Sequence, residues 1–267
     1  MKLLKHTLLL TLCAGMLVGC SEEHEPVITT MKVTEYLTSD GGNVTKEDRY
    51  TYTDDKLTHR LTTQNFSDQS MSHEVSFTYR GKEVTLDYSE GNSAVYTLNA
   101  DGYADACTYR MGGQTRTYRF TYSNGYLTQV DETIDGTPSS SNIFEYGDGD
   151  LTSIATGANK LICTPATEVN QSQLPCPLFE DIYPLSLHLD ALYAHLLGKA
   201  SPHFTGSSTP AVADPQEKTE YSYTKASTGK IIKIDKKLTY TGTTVDRNGH
   251  VTESTTVVEN SLYFKYE

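Results

Sequence analysis

Residues 115–130 constrain this chain more than any other stretch. Tyr118, Phe120 and Tyr122 alternate with Arg119 and Thr121, the period-two pattern of a strand with one aromatic and one polar face. Asn124-Gly125 follows, the pair that most readily takes positive φ at both positions of a two-residue hairpin turn. Tyr126, Thr128 and Val130 then resume the alternation, so the unit reads strand, tight turn, strand.

Variants of this unit recur. Tyr50 and Tyr52 turn at Asp54-Asp55 into Leu57; Val75, Phe77 and Tyr79 turn at Arg80-Gly81 into Val84; Phe144 and Tyr146 turn at Gly147-Asp148-Gly149 into Leu151. Consecutive hairpins with short connections pair with their neighbours, which makes the fold mainly β: an antiparallel meander of repeated hairpins forming a curved or barrel-like sheet. Tyr79, Tyr118, Phe120, Tyr122 and Tyr146 are expected to line its concave side.

The pattern breaks over residues 161–216, where Pro165, Pro175, Pro177 and Pro184 exclude a continuous strand or helix. Residues 186–197 place Leu189, Leu192, Tyr193, Leu196 and Leu197 on one apolar helical face, with Gly198-Lys199 as a stop. One amphipathic helix in a β chain must bury that face, and the expected place is against the sheet, packed on it or plugging it. Hairpins resume afterwards, so the insertion sits inside one domain spanning 27–267.

The N-terminus is a separate signal. Lys2 and Lys5 precede a short apolar run, too short for a membrane span, so residues 1–19 read as an export signal. Leu17-Val18-Gly19-Cys20 resembles the lipobox of bacterial lipoproteins, which implies cleavage between Gly19 and Cys20 and lipid on the Cys20 thiol. Residues 20–26 form an acidic tether similar to those that follow the lipidated cysteine in surface lipoproteins of Bacteroidota; a solvated spacer is the alternative. The implied location is the outer membrane, surface-exposed or periplasmic, with the membrane as a partner through the anchor.

Formal charge is −12, and −14 once Lys2 and Lys5 leave with the signal. Such a balance argues against nucleic acid, which needs a basic face. Tyr outnumbers Phe by 19 to 7 and Trp is absent, which suits half-buried sheet surfaces and weakens a sugar-platform reading. Cys107, Cys163 and Cys176 remain beyond Cys13 and Cys20, and Cys163 with Cys176 brackets a turn-rich loop that a disulfide could close.

The sentence Tyr-x-Tyr-x-x-Gly-x-Leu, present in variant form at 120–127 and 144–151, resembles that of tyrosine-aspartate repeat proteins. The whole layout, with lipobox, hairpin repeats and a Pro-rich insertion ending in Leu196-Leu197-Gly198, is similar to a family of Bacteroidota lipoproteins of unknown function with a porin-like fold. That resemblance implies a curved or barrel-like sheet and transfers no catalytic residue. A transmembrane barrel would need an apolar outward band, whereas Arg119 and Thr121 lie opposite the aromatic face, and Arg110, Arg116 and many Glu residues recur. The expectation is a tethered, water-facing sheet.

Chemistry is sparse. His188 and His195 are seven apart on the expected helix, near Asp190 and His203, but polar-face histidines are commoner than metal ligands, and neither metal nor cofactor is expected. Asp54, Asp55, Asp148 and Asp150 sit at hairpin turns, where Asp serves turn geometry, so paired glycosidase carboxylates are not the favoured reading. The expected function is a noncatalytic binding module for an apolar or polymeric ligand or a partner protein. A hydrolase of an exported polymer and a structural or adhesive coat protein are the alternatives.

Overall fold

A computed structural model describes residues 32–212, 216–245, 247 and 250–267. The export signal, Gly19, Cys20, the acidic tether and residues 27–31 at the start of the expected domain lie outside the described residues.

Sixteen strands form a closed antiparallel barrel in sequence order. The first eight are β1 (Val33–Asp40), β2 (Asn43–Thr53), β3 (Lys56–Asn65), β4 (Ser70–Arg80), β5 (Glu83–Tyr88), β6 (Ser93–Leu98), β7 (Ala104–Met111) and β8 (Gln114–Ser123). Then come β9 (Tyr126–Ile134), β10 (Thr137–Gly147), β11 (Asp150–Thr156) and β12 (Asn159–Val169). After the insertion follow β13 (His203–Pro210), β14 (Gln216–Lys225), β15 (Ile231–Val245) and β16 (Val251–Tyr266). Closure comes from β1 on β16, with Tyr36 opposite Phe264 and Asp40 opposite Asn260.

The turn signals hold. Asn124 and Gly125 have φ of 53° and 83°, and Asp54 and Asp55 have 48° and 62°, the left-handed pairs that reverse a twisted hairpin in two residues. Because neighbours run antiparallel, these turns gather at one end of the barrel, the near end, together with the start of β1 and the end of β16. The turns at Gly41-Gly42, Gly112-Gly113 and Asp135-Gly136 gather at the far end.

Alternation along each strand sorts the wall. Tyr118 and Phe120 are each 2% exposed and point inward, while Thr117, Arg119 and Thr121 are exposed. On β4 Val75 and Phe77 are buried between exposed Glu74, Ser76 and Thr78; on β2 Tyr50 is buried between exposed Arg49 and Thr51. The outer surface is mostly threonine and charge, with single apolar residues such as Ile143, Ile162 and Val257 among them, and the lumen is mostly apolar around a few buried charges such as Asp48 and Glu132. Arg116 is in phase with Tyr118, so it lies on the inner side and not with the outward polar residues.

Residues 170–202 run into this lumen from the near end and return to it. The expected helix over 186–197 is present in shortened form, a 3-10 turn Leu185–His188 running into a short α-helix, α1 (Leu189–Tyr193), and a separate 3-10 turn covers Pro177–Glu180. The stop at Gly198 was one turn late. His195 takes φ +56°, its N–H bonds Leu192 O, and Leu196 N–H bonds Ala191 O at 2.8 Å, the Schellman geometry that ends a helix with a left-handed residue. His195 fills the place that glycine usually holds.

Candidate functional site

The insertion touches the wall along its whole length. At the near end Lys199 N–H donates to Gly125 O at 2.8 Å, and Ala104 N–H donates to Leu196 O at 2.7 Å. Gly198 has φ +89°, and a Cβ there would stand 2.8 Å from Gly125 O, so only glycine permits this approach. Asp150 receives the backbone N–H of His203 at 2.8 Å and pairs with its ring Nδ1 at 2.9 Å, fixing the point where the insertion rejoins the wall.

Deeper in, buried charges hold it. Arg60 on β3 grips Asp190 of α1, Nε to Oδ1 at 2.7 Å and Nη2 to Oδ2 at 3.1 Å, and reaches Asp48 on β2 at 3.2 Å. Lys46 sits 2.8 Å from the other Asp48 oxygen, and Thr62 Oγ1 also donates to Asp48. Burial penalises the Arg60 charge, but Asp190 and Asp48 outweigh it and hold the guanidinium above its usual value. Burial displaces the Asp190 carboxyl upward in spite of Arg60.

Glu180 accepts the Tyr36 hydroxyl on both oxygens, at 2.7 and 2.8 Å, and burial raises its carboxyl. Farthest in, Tyr183 Oη donates to Glu132 at 2.6 Å and Arg116 contacts the same carboxylate at 3.1 Å, while Asn142 Nδ2 donates to Tyr183 O. Burial alone would raise Glu132; the hydrogen bonds from Tyr183, Tyr118, Ser139 and Arg116 outweigh it and leave the carboxyl below its usual range.

His188 is 1% exposed, and its Nδ1 accepts the Tyr96 hydroxyl at 2.8 Å. The Tyr118 and imidazole rings meet at right angles with centres 4.3 Å apart, Phe120 lies at 5.3 Å, and Nε2 is buried without a hydrogen-bond partner among the described residues. Burial pulls this imidazole down to about 3. His188 is thus a neutral core residue and not a polar-face one, His203 pairs with Asp150, and Asp190 pairs with Arg60. The four groups weighed as metal ligands go to separate places.

Of the five aromatic residues, Tyr118 and Phe120 are buried inside the barrel, with the Tyr118 hydroxyl on Glu132, while the hydroxyls of Tyr79 and Tyr122 are engaged with the backbone. Tyr79 donates to Leu57 O at 2.9 Å and Tyr122 to Ala104 O at 2.7 Å, as Tyr52 does to Val33 O, Tyr223 to Thr205 O and Tyr266 to Ile231 O. Each braces the end of an even strand to the start of the odd one beside it, forming a near-end collar. Tyr146 instead stacks against Tyr126 at 5.1 Å. Cys163 and Cys176 are free thiols, and Cys176 Sγ lies 3.1 Å from Thr205 Oγ1.

Among the described residues a cavity of about 290 Å³ lies on the far side, between the insertion and β12 to β15. Leu178, Ile182, Leu161 and Leu238 form its apolar walls; Asp181, Lys236 and Glu217 are its charges. The wall is thinly tied here: among the described residues β13 and β14 pair at Ser207 with Glu220 and Ser208 with Thr219, and the β12–β13 register shifts around Pro165. Lys236 Nζ meets Asp181 Oδ2 at 2.5 Å. Beside it β15 and β16 extend past their outer neighbours, and residues 251–259 are all exposed.

The charged anchors escaped the sequence reading, although a signal exists. Asp48 and Arg116 lie two residues before Tyr50 and Tyr118 and therefore share their inward face, where a charge demands a buried partner. Asp48 finds Arg60 on the adjacent strand and Arg116 finds Glu132 beside it, but the links onward to the insertion, Arg60 to Asp190 and Arg116 to Tyr183, join residues 130 and 67 positions apart, and no local pattern announces them.

A family model described as a domain of unknown function (DUF4595) with porin-like fold matches residues 32–233. Among solved structures, a porin-like protein from Bacteroides uniformis is similar at 23% identity and a TM-score of 0.72, covering 89% of this chain and 99% of that one. No curated protein matches the chain.

Proposed function

Because the chain belongs to the family of domains of unknown function with a porin-like fold, we propose that it is a lipid-anchored outer-membrane protein, surface-exposed or periplasmic, whose water-facing barrel binds a ligand or partner noncatalytically. The polarity of the wall carries this reading. A membrane barrel turns an apolar band outward and often encloses water, whereas here threonines and charges face out and the lumen is filled by apolar side chains and the insertion. Lipid exposure of Arg49, Arg119 and their neighbours would cost about 2–4 kcal/mol each at mid-bilayer.

Attachment at Cys20 orients the molecule. β1 begins at the near end, and the 12 residues from Ser21 to Lys32 span at most about 40 Å when extended. The near end then faces the membrane, while the cavity and the long β15–β16 hairpin face away from it. Binding belongs at that far end because the tyrosine collar and the root of the insertion leave a space of only about 30 Å³ at the near end, beside Tyr146 and His195.

Mass spectrometry of the mature protein tests the anchor: acyl chains on an N-terminal Cys20 are expected, and Cys20→Ala should leave an unlipidated protein released from membranes. An unmodified Cys20 in the membrane fraction would contradict it. Protease shaving of whole cells separates the surface from the periplasm.

A further inference from the structure

The far-end cavity carries a charge pattern that selects among ligands, and resting on the binding role proposed above, we infer that it takes a small amphipath with an apolar body and one protonated amine. Its volume, about 290 Å³, is far more than one water molecule needs and leaves room for a small organic body. Leu161, Leu178, Ile182, Pro210 and Leu238 supply its apolar lining, with only Ser208 and Thr219 as uncharged polar residues among them, so the buried part of an occupant is chiefly hydrocarbon.

The head group follows from the charges. Lys236, with its side chain only 19% exposed, is already neutralised by Asp181. Glu217 is the third charge on the lining, and it has no ion-pair partner among the described residues. It is exposed, at the mouth, so the cation it accepts keeps contact with water while the apolar body goes inward. The β14–β15 register sets Tyr240 directly opposite Glu217 on the same face, and Tyr240 is 43% exposed. A carboxylate beside an accessible phenol ring suits an ammonium, which gains from the anion and the ring face. An anionic head would meet Glu217 and would have to displace Asp181 from Lys236.

Octylamine, octanol and octanoate share one apolar chain and differ in the head. Calorimetric titration of each into the lipid-free protein beginning at Ser21, which keeps every described residue, separates head from tail. Octylamine should bind saturably at one site, at least tenfold more tightly than octanoate, and Glu217→Gln should weaken it about fivefold or more while leaving octanol unchanged. Leu238→Trp, which fills the cavity, should abolish both. Because that variant could misfold, methyl NMR of the unaltered protein gives a second reading: Ile182 and Leu178 should shift on octylamine addition.

Equal or tighter octanoate binding, or indifference of octylamine to Glu217→Gln, would overturn the amine assignment while leaving cavity binding in place. No saturable binding by any of the three, with unmoved Ile182 and Leu178 methyls, would overturn the cavity as the ligand site as well.

Discussion

Arg60 bridges the wall to the insertion with its guanidinium between Asp190 and Asp48, and removing it leaves two buried carboxylates facing each other. Arg60→Met should cost about 3–5 kcal/mol, the usual penalty for breaking one side of a buried pair. Adding Asp190→Asn should recover part of it, and denaturant unfolding reads both. His188 gives a pH signature. The unfolded chain takes up a proton near pH 6.5 that the folded core refuses until about 3, so this contribution is complete above pH 6.5 and is lost as pH falls. Between pH 7 and 5 the protein should lose about 2 kcal/mol relative to a His188→Phe variant. The comparison with the variant matters because Asp190 and Glu180, raised by burial, act in the opposite sense. Melting temperatures of both proteins across that range check the sign, and parallel curves would contradict it.

At the scale of the element, the recurring tyrosine before each turn has a physical reason that alternation alone does not supply. Phe would satisfy the inward position equally well, but only Tyr can brace the neighbouring strand. Tyr122→Phe should cost about 1 kcal/mol for the bond to Ala104 O, whereas Tyr146→Phe, stacked on Tyr126 with no hydroxyl bond among the described residues, should be nearly neutral. Equal losses from paired unfolding curves would remove the collar from the account. The hairpins were legible because each is local: period two, then a pair of residues tolerant of positive φ. The helix was less so. Its apolar positions from Leu189 to Leu197 are correctly inward, yet the backbone turns left-handed at His195, a choice set by packing in the lumen. His195→Gly should therefore stabilise the fold by a few tenths to about 1 kcal/mol, read in the same unfolding assay.

At the scale of the whole molecule, closure is what the sequence could least specify. A meander of good hairpins is compatible with an open curved sheet, and the pairing of β1 with β16 joins residues over 200 positions apart, such as Tyr36 and Phe264. The filled lumen follows from the same long-range contacts: Tyr118 and Phe120 were expected on a concave face, and there they meet His188 of the insertion. The candidate site shares this origin. Glu217, Lys236 and Asp181 come from β14, β15 and the insertion, and they become neighbours only when the barrel closes around its plug.

A barrel with a mostly apolar lumen and a polar outer wall needs no lipid around it, and detergent-free sedimentation of the chain from Ser21 onward is the decisive test. A folded, monodisperse species in plain buffer, with cooperative unfolding and no conductance when added to a planar bilayer, is the predicted result. A protein that aggregates without detergent, folds only in micelles and opens ion-conducting channels would contradict it.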